Sequence, residues 1–254
     1  MGELRREMVD VNGRRTAVFT GGEGEALVFM HGGGIVEGVD CFEPLADSFR
    51  FVAPQMPGFD RSELRPPIQS IDELVEHNAA LLDALGAGEI VLVGHSLGGW
   101  AAASFAAAHP QRVGRLVIAC SYGLENAEHP IANVFTMGRD ELYATLSRDD
   151  SIWIGRVPAG EDPEFDAARA REGQSLSGFV PGPFDPGFAA KLATLEMPIM
   201  LMWGDDDRIV PIERLADFEA ALPQADVRVY PGVGHLLFWE RRECVLALAE
   251  FAGA

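Results

Sequence analysis

Short runs of uninterrupted apolar residues alternate along this chain with stretches whose apolar residues recur every three to four positions. The runs are Ala26–Met30, Phe51–Ala53, Ile90–Val93, Leu116–Ala119 and Ile199–Trp203. A run that is apolar at every position reads as a strand buried on both faces, the habit of parallel sheets. Ser70-Ile71-Asp72-Glu73 carries a capping box, and Ile71, Leu74, Val75, Leu81, Leu82 and Leu85 then predict a helix that Gly86 or Gly88 stops. An Ala-rich segment, Trp100 to Ala108, predicts a second helix ending before Pro110. Further helices are expected over about 212–221 and 241–251, with a strand at Val227–Tyr230 between them. Near the start, Val9 and Val11, then Asn12-Gly13, then Ala17 to Phe19 read as a hairpin on a type I′ turn.

Strands alternating with helices predict an α/β fold with a mostly parallel sheet covered on both faces. The alternation lapses between residues 121 and 196, where the composition is mixed and includes the Gly/Pro-rich SLSGFVPGPFDPG. The expected organisation is therefore a core built from 1–120 and 197–254, with 121–196 inserted as a lid. An irregular stretch of that length inside a compact fold usually serves function.

One strand-to-helix junction carries chemistry. Gly94-His95-Ser96-Leu97-Gly98 fits G-x-S-x-G, whose flanking small residues let the serine sit on a sharp turn at a helix N-terminus. There the next backbone N–H faces any negative charge that develops on a substrate. The plainer alternative is a Gly-rich connection with Ser96 as a helix cap. A serine nucleophile needs a base, and the base needs an orienting carboxylate. Downstream, Asp205-Asp206-Asp207 follows one apolar strand and Gly232-Val233-Gly234-His235 follows another, giving the order Ser…Asp…His. His235 is the only histidine after His129, which makes it the expected base. His31 and His95 read as supports for the loops they open, His77 as a residue on a helix face and His109 as one at a helix end.

Taken together, HGGG at His31–Gly34, GHSLGG at Gly94–Gly99, WGDDDRIVP at Trp203–Pro211 and GVGH at Gly232–His235 resemble the α/β-hydrolase fold family. The resemblance runs from about Val18 to the end of the chain and implies an α/β-hydrolase fold. It assigns the catalytic acid to Asp207, with Glu125 as a distant alternative, and it implies an oxyanion hole formed by the backbone N–H groups of Gly33 and Leu97. Two departures stand out. The loop PQMPGFDRS has Gln55 and Asp60 where family members commonly have Asp and Gly. Gly34 is followed by Ile35-Val36, and His235 by Leu236, where carbon–carbon bond hydrolases of the family tend to carry Pro-Gly and Trp.

Composition narrows the partners. With 39 acidic against 20 basic residues the formal charge is −19, which repels phosphate backbones and anionic membranes. No nucleic-acid or membrane partner is expected. Cys41, Cys120 and Cys244 show no C-x-x-C spacing, and no metal-ligand spacing or Walker motif occurs, so neither metal nor cofactor is expected. The N-terminal stretch lacks an apolar h-region, and a cytoplasmic location is the expectation. Aromatic residues of the insertion, Trp153 and Phe179 foremost, together with Leu236, are expected to wall a substrate pocket. The functional expectation is a serine hydrolase that cleaves a carboxylic ester, thioester, lactone or amide of a small neutral or apolar substrate through an acyl-enzyme. The alternatives are a carbon–carbon bond hydrolase of aromatic ring-cleavage products and a non-catalytic ligand sensor.

Overall fold

The computed structural model describes residues 3–34, 36, 38–179, 182 and 184–253, and the side chains of Phe135 and Phe179 lie outside the description. Eight strands form one sheet: β1 (Arg5–Val11), β2 (Arg14–Gly21), β3 (Ala26–Met30), β4 (Arg50–Pro54), β5 (Ile90–His95), β6 (Val113–Ala119), β7 (Ile199–Gly204) and β8 (Asp226–Tyr230). Their spatial order is β1-β2-β4-β3-β5-β6-β7-β8. β1 pairs antiparallel with β2, and β2 antiparallel with β4, while every later pair is parallel. The helices are α1 (Ile71–Ala84), α2 (Leu97–Ala108), α3 (Arg139–Leu146), α4 (Pro163–Phe179), α5 (Phe188–Leu192), α6 (Leu215–Ala221), α7 (Leu237–Glu240) and α8 (Arg242–Ala252). This is the α/β-hydrolase fold.

The local chemistry explains the elements. β3 and β5 are buried at every position, as their unbroken apolar runs require. The β1–β2 turn has Asn12 at φ 54° and Gly13 at φ 82°, the two positive values a type I′ turn needs. Ser70 caps α1 by accepting from the Glu73 N–H at 3.1 Å, while Glu73 reaches back to the Gln69 N–H at 2.9 Å. Between β3 and β4 the chain forms a 3₁₀ segment, Asp40–Asp47, that the sequence pattern does not announce.

The core is continuous. Phe29, Phe42, Phe51 and Phe238 interlock in one region, and Trp100, Phe188, Phe218 and Trp203 in another. Three elements of the segment between β6 and β7 are helices: α3, α4 and α5. Phe188 of α5 is fully buried against Trp100, so the end of this insertion belongs to the core packing. The parallel register aligns Met30 with Gly94 and His95 with Ala119. The carboxyl ends of β3, β5, β6 and β7 therefore meet at one edge of the sheet, where open α/β sheets place their sites.

Candidate active site

Ser96 sits between β5 and α2 with φ 59° and ψ −122°, a backbone conformation that non-glycine residues rarely adopt. Its neighbours allow the turn. A side chain at Gly94 would run into the Gly98 carbonyl, and one at Gly98 into the Met30 carbonyl. The turn is tied down by the Ser96 N–H, which donates to the Ala119 carbonyl at 2.8 Å. Leu97 is the first residue of α2, so its amide has no acceptor within the helix. The nearest atom to a side chain at Gly33 would be Leu176 Cδ1, at 3.5 Å.

His235 and Asp207 come together from separate loops. His235 Nδ1 lies 2.7 Å from Asp207 Oδ2, both groups being buried. A carboxylate oxygen only accepts, so Nδ1 carries the proton and Nε2 is free to take one. Asp207 Oδ1 accepts the N–H groups of Ile209 and Val210, each at 2.8 Å. The neighbouring aspartates are engaged elsewhere. Asp205 accepts from the Gly232 N–H at 2.6 Å, and Asp206 pairs with Arg148 at 2.8 Å and with Arg208 at 3.2 Å.

Two histidines scaffold these loops. The His31 ring donates from Nδ1 to the Gly32 carbonyl at 2.8 Å and accepts the Met56 N–H on Nε2 at 2.9 Å. Burial lowers its pKa to about 4, so it is neutral near pH 7. His95 Nε2 donates to the His235 carbonyl at 2.8 Å, and burial holds its pKa well below the ordinary value. Asp60, in place of the family's glycine, takes φ 47° and pairs with Arg6 at 2.8 Å, so the loop after β4 accommodates the change.

Ser96, His235, Gly33 and Leu97 line one cavity of about 360 Å³. Most of its wall is apolar and comes from the insertion and nearby loops: Leu142, Tyr143, Leu146, Phe165, Leu176 and Leu236 among them. Of the residues expected to wall a pocket, Leu236 does so. Trp153 is not among the described lining residues and packs against Tyr143 at 4.7 Å between ring centres, supporting the wall at one remove. The Phe179 side chain lies outside the described residues. Glu125, the alternative acid, is not among the lining residues.

The cavity also holds groups the sequence did not flag: Tyr122, Arg139, Asp166, Arg169 and Glu172. Arg169 pairs with the buried Glu172 at 2.5 Å, but its Nε is buried without a hydrogen-bond partner. No motif marks these residues: Tyr122 lies in the loop after β6, and the other four lie on α3 and α4, whose placement over the sheet is a tertiary fact.

Donor atoms of His95, Cys120 and His235 lie within 4.8 Å of one another. His95 Nε2 and His235 Nδ1 are already committed to other partners. The Cys120 thiol is pushed well above its usual pKa, by burial first and by Asp207 second. Such a set disfavours a metal ion, which needs a thiolate and free ring nitrogens. Among the described residues, no helix is long and apolar enough to cross a membrane.

A model of the alpha/beta hydrolase family matches residues 27–247. The chain belongs to that family. It is a hydrolase. It is 31% identical to the 2-hydroxymuconate semialdehyde hydrolase of Pseudomonas putida, with 98% of this chain and 93% of that protein covered. It is 27% identical to a 2-hydroxy-6-oxo-6-phenylhexa-2,4-dienoate hydrolase of Burkholderia cepacia, covering 87% and 85% of the two chains. The solved structure of the like-named hydrolase from a Rhodococcus strain superposes with a TM-score of 0.82 over the full length of both chains, at 23% identity, and shows the shared fold.

Proposed function

We propose that this hydrolase cleaves a carbon–carbon bond beside a ketone in a small carboxylate-bearing substrate of the 2-hydroxy-6-oxo-2,4-dienoate class. Residues 121–196 act as its lid. The observation that carries this reading is Arg169, a guanidinium beside Glu172 on the wall of a mostly apolar chamber that contains Ser96 and His235. A guanidinium has five N–H donors, more than one Glu172 carboxylate takes up, so a substrate carboxylate can accept a charge-assisted contact there. The names of the relatives point to the same class.

In this reading the 2-hydroxyl proton of the substrate first moves to C5, which makes C5 a stabilised leaving carbon. Ser96 Oγ then attacks the C6 ketone while His235 Nε2 takes the serine proton. The Gly33 and Leu97 amides receive the oxyanion, and Asp207 steadies the imidazolium. Collapse breaks the C5–C6 bond, the electron pair leaves as a dienolate, and His235 returns the proton to it. Water, activated by His235, then releases the acyl group from Ser96 as a carboxylic acid.

Ester cleavage is the second reading, favoured by Leu236 in place of the Trp that carbon–carbon hydrolases of the fold tend to carry. The two are separated by assaying a ring-cleavage dienoate beside p-nitrophenyl esters of graded chain length. The dienoate is expected to show the higher kcat/KM, by about tenfold or more, since the best substrate is the one whose transition state the site binds. The opposite ranking overturns the carbon–carbon reading and leaves the ester one.

A further inference from the structure

The loop that carries His235 is stitched to the inserted segment on both sides of that residue, and the loop that carries Asp207 is tied to it as well. The Leu236 N–H donates to the Leu146 carbonyl at 3.3 Å. Arg148 pairs with Asp206, the residue before the orienting acid, at 2.8 Å. A side chain at Gly234 would lie 2.8 Å from Glu240 Oε1 and 3.3 Å from the Arg148 nitrogen, so both groups pack directly on the Gly234 backbone. The turn Leu146–Arg148 thus touches residues on both sides of His235 and the neighbour of Asp207. The same helix, α3, supplies Arg139, Leu142, Tyr143 and Leu146 to the cavity wall.

Glu240 stands at the centre of this junction. It is buried, and its Oε2 accepts the Gly234 N–H at 2.9 Å, which fixes the peptide next to His235. Its Oε1 is buried without a partner of good hydrogen-bond geometry. Burial pushes the carboxyl pKa up, opposed by the amides of Gly234 and Arg148, the Ser147 hydroxyl and Arg241. An isolated carboxylate inside a protein is costly, and packing alone would be served as well by an apolar residue. What the carboxylate adds is an acceptor that holds the Gly234 N–H, with its second oxygen lying where the Gly234 backbone meets the Arg148 amide.

The geometry points to Glu240 as a positioning residue that joins the Leu146–Arg148 turn to the Gly234–His235 peptide, so that the seating of the cavity wall sets the pose of the base. The inference rests on the reading of Ser96 and His235 as nucleophile and base. Its consequence is that the segment forming the substrate wall and the base loop move as one piece. Binding contacts made with α3 then act on the orientation of the imidazole as well as on affinity. Angstrom-scale misplacement of a catalytic group is enough to cost about 10²-fold in rate.

Covalent labelling of Ser96 by a fluorophosphonate tests this, because the labelling rate depends on His235 and needs no knowledge of the natural substrate. Rates are compared for the wild-type protein, Glu240→Ala, Glu240→Gln and Arg148→Ala, each well below its own Tm and with near-UV circular dichroism confirming the fold. Glu240→Ala is expected to slow labelling by about tenfold or more. Glu240→Gln, whose amide oxygen still accepts from the Gly234 N–H but whose NH2 cannot accept on the side of the Arg148 amide, is expected to recover part of the rate. A staple with a merely structural role would lower Tm and leave the folded protein labelling normally.

Folded Glu240→Ala that labels at the wild-type rate, or Glu240→Gln as slow as the alanine variant, overturns the proposal. Should Glu240→Ala fail to fold, Arg148→Ala decides: slower labelling supports the junction and an unchanged rate overturns it. A wild-type protein that resists the probe overturns the nucleophile reading, and this inference with it. Normal wild-type labelling with indifferent variants removes this inference alone.

Discussion

His235 Nδ1 lies 2.7 Å from Asp207 Oδ2, and Asp207 Oδ1 is held by the N–H groups of Ile209 and Val210 at 2.8 Å each. Both carboxylate oxygens are therefore spent, one on orienting the imidazole and one on fixing the carboxylate itself. The arrangement selects a single tautomer, with the proton on Nδ1 and the acceptor nitrogen Nε2 directed elsewhere.

Asp207→Asn should lower kcat by about 10⁴, because an amide presenting N–H to Nδ1 stabilises the wrong tautomer. Asp205→Asn should be mild by comparison, since an amide oxygen still accepts from the Gly232 N–H. Steady-state kinetics on one chromogenic substrate decides the matter. Comparable losses at the two positions would show that the motif register does not pick out the functional acid.

The strained backbone at Ser96 gives a second expectation. Ser96→Ala should abolish fluorophosphonate labelling and cut kcat by about 10⁴ or more. Ser96→Gly should be as inactive, yet more stable than the alanine variant, because φ 59° with ψ −122° suits glycine and strains any residue with a Cβ. Strain of this kind is worth about 1–3 kcal/mol. Thermal unfolding of the two variants side by side is the measurement, and an alanine variant with the higher Tm would contradict it.

The parts of this structure that the sequence announces are those set by local rules. β3 and β5 show as unbroken apolar runs because both faces of the sheet are covered. Ser70 and Glu73 announce the start of α1 because a capping box closes within four residues. Ser96, Asp207 and His235 could be picked out because each sits at a strand end in a loop of fixed chemistry. Arg169, Glu172 and Glu240 could not. Their places at the cavity wall and beside the His235 loop come from how their helices pack, and no local motif distinguishes them from solvated charges on a helix. Trp153 shows the converse: an aromatic of the insertion suggested a wall, yet it buttresses Tyr143 instead.

Selectivity should divide along that line. Arg169→Met keeps much of the side-chain volume and removes the charge, so it should raise KM for a dienoate by about tenfold or more, the cost of one charge-assisted contact. The same change should leave a neutral p-nitrophenyl ester little affected. Leu236→Ala, at the cavity wall, should shift the preferred acyl length. Trp153→Ala should chiefly cost stability, by about 3–5 kcal/mol, the usual range for a buried aromatic. Equal losses on charged and neutral substrates in Arg169→Met would remove the carboxylate argument.

Acid stability follows from the buried histidines. Burial lowers the pKa of His31 and of His77 from 6.5 to about 4 in the folded protein, with the charge of Arg169 adding to the effect at His31 and that of Arg14 at His77. Both rings must therefore stay neutral in the folded state, where His31 bridges Gly32 and Met56 and His77 meets the Thr16 hydroxyl at 3.1 Å. Between pH 6.5 and 4 the unfolded chain binds protons that the folded one refuses, so ΔG of unfolding rises with pH there. The stability is complete above about pH 6.5 and falls as the pH drops through that window, levelling off below about 4. For fully buried His31 the span is about 3 kcal/mol at most, the equivalent of its shift. His95, also held well below its ordinary value by burial, acts in the same direction. Urea unfolding at pH 7.5 and at pH 5 should show a marked loss at the lower pH, and His77→Gln should reduce the difference between the two. A pH-independent midpoint across this range would mean that the buried rings accept protons without opening the fold.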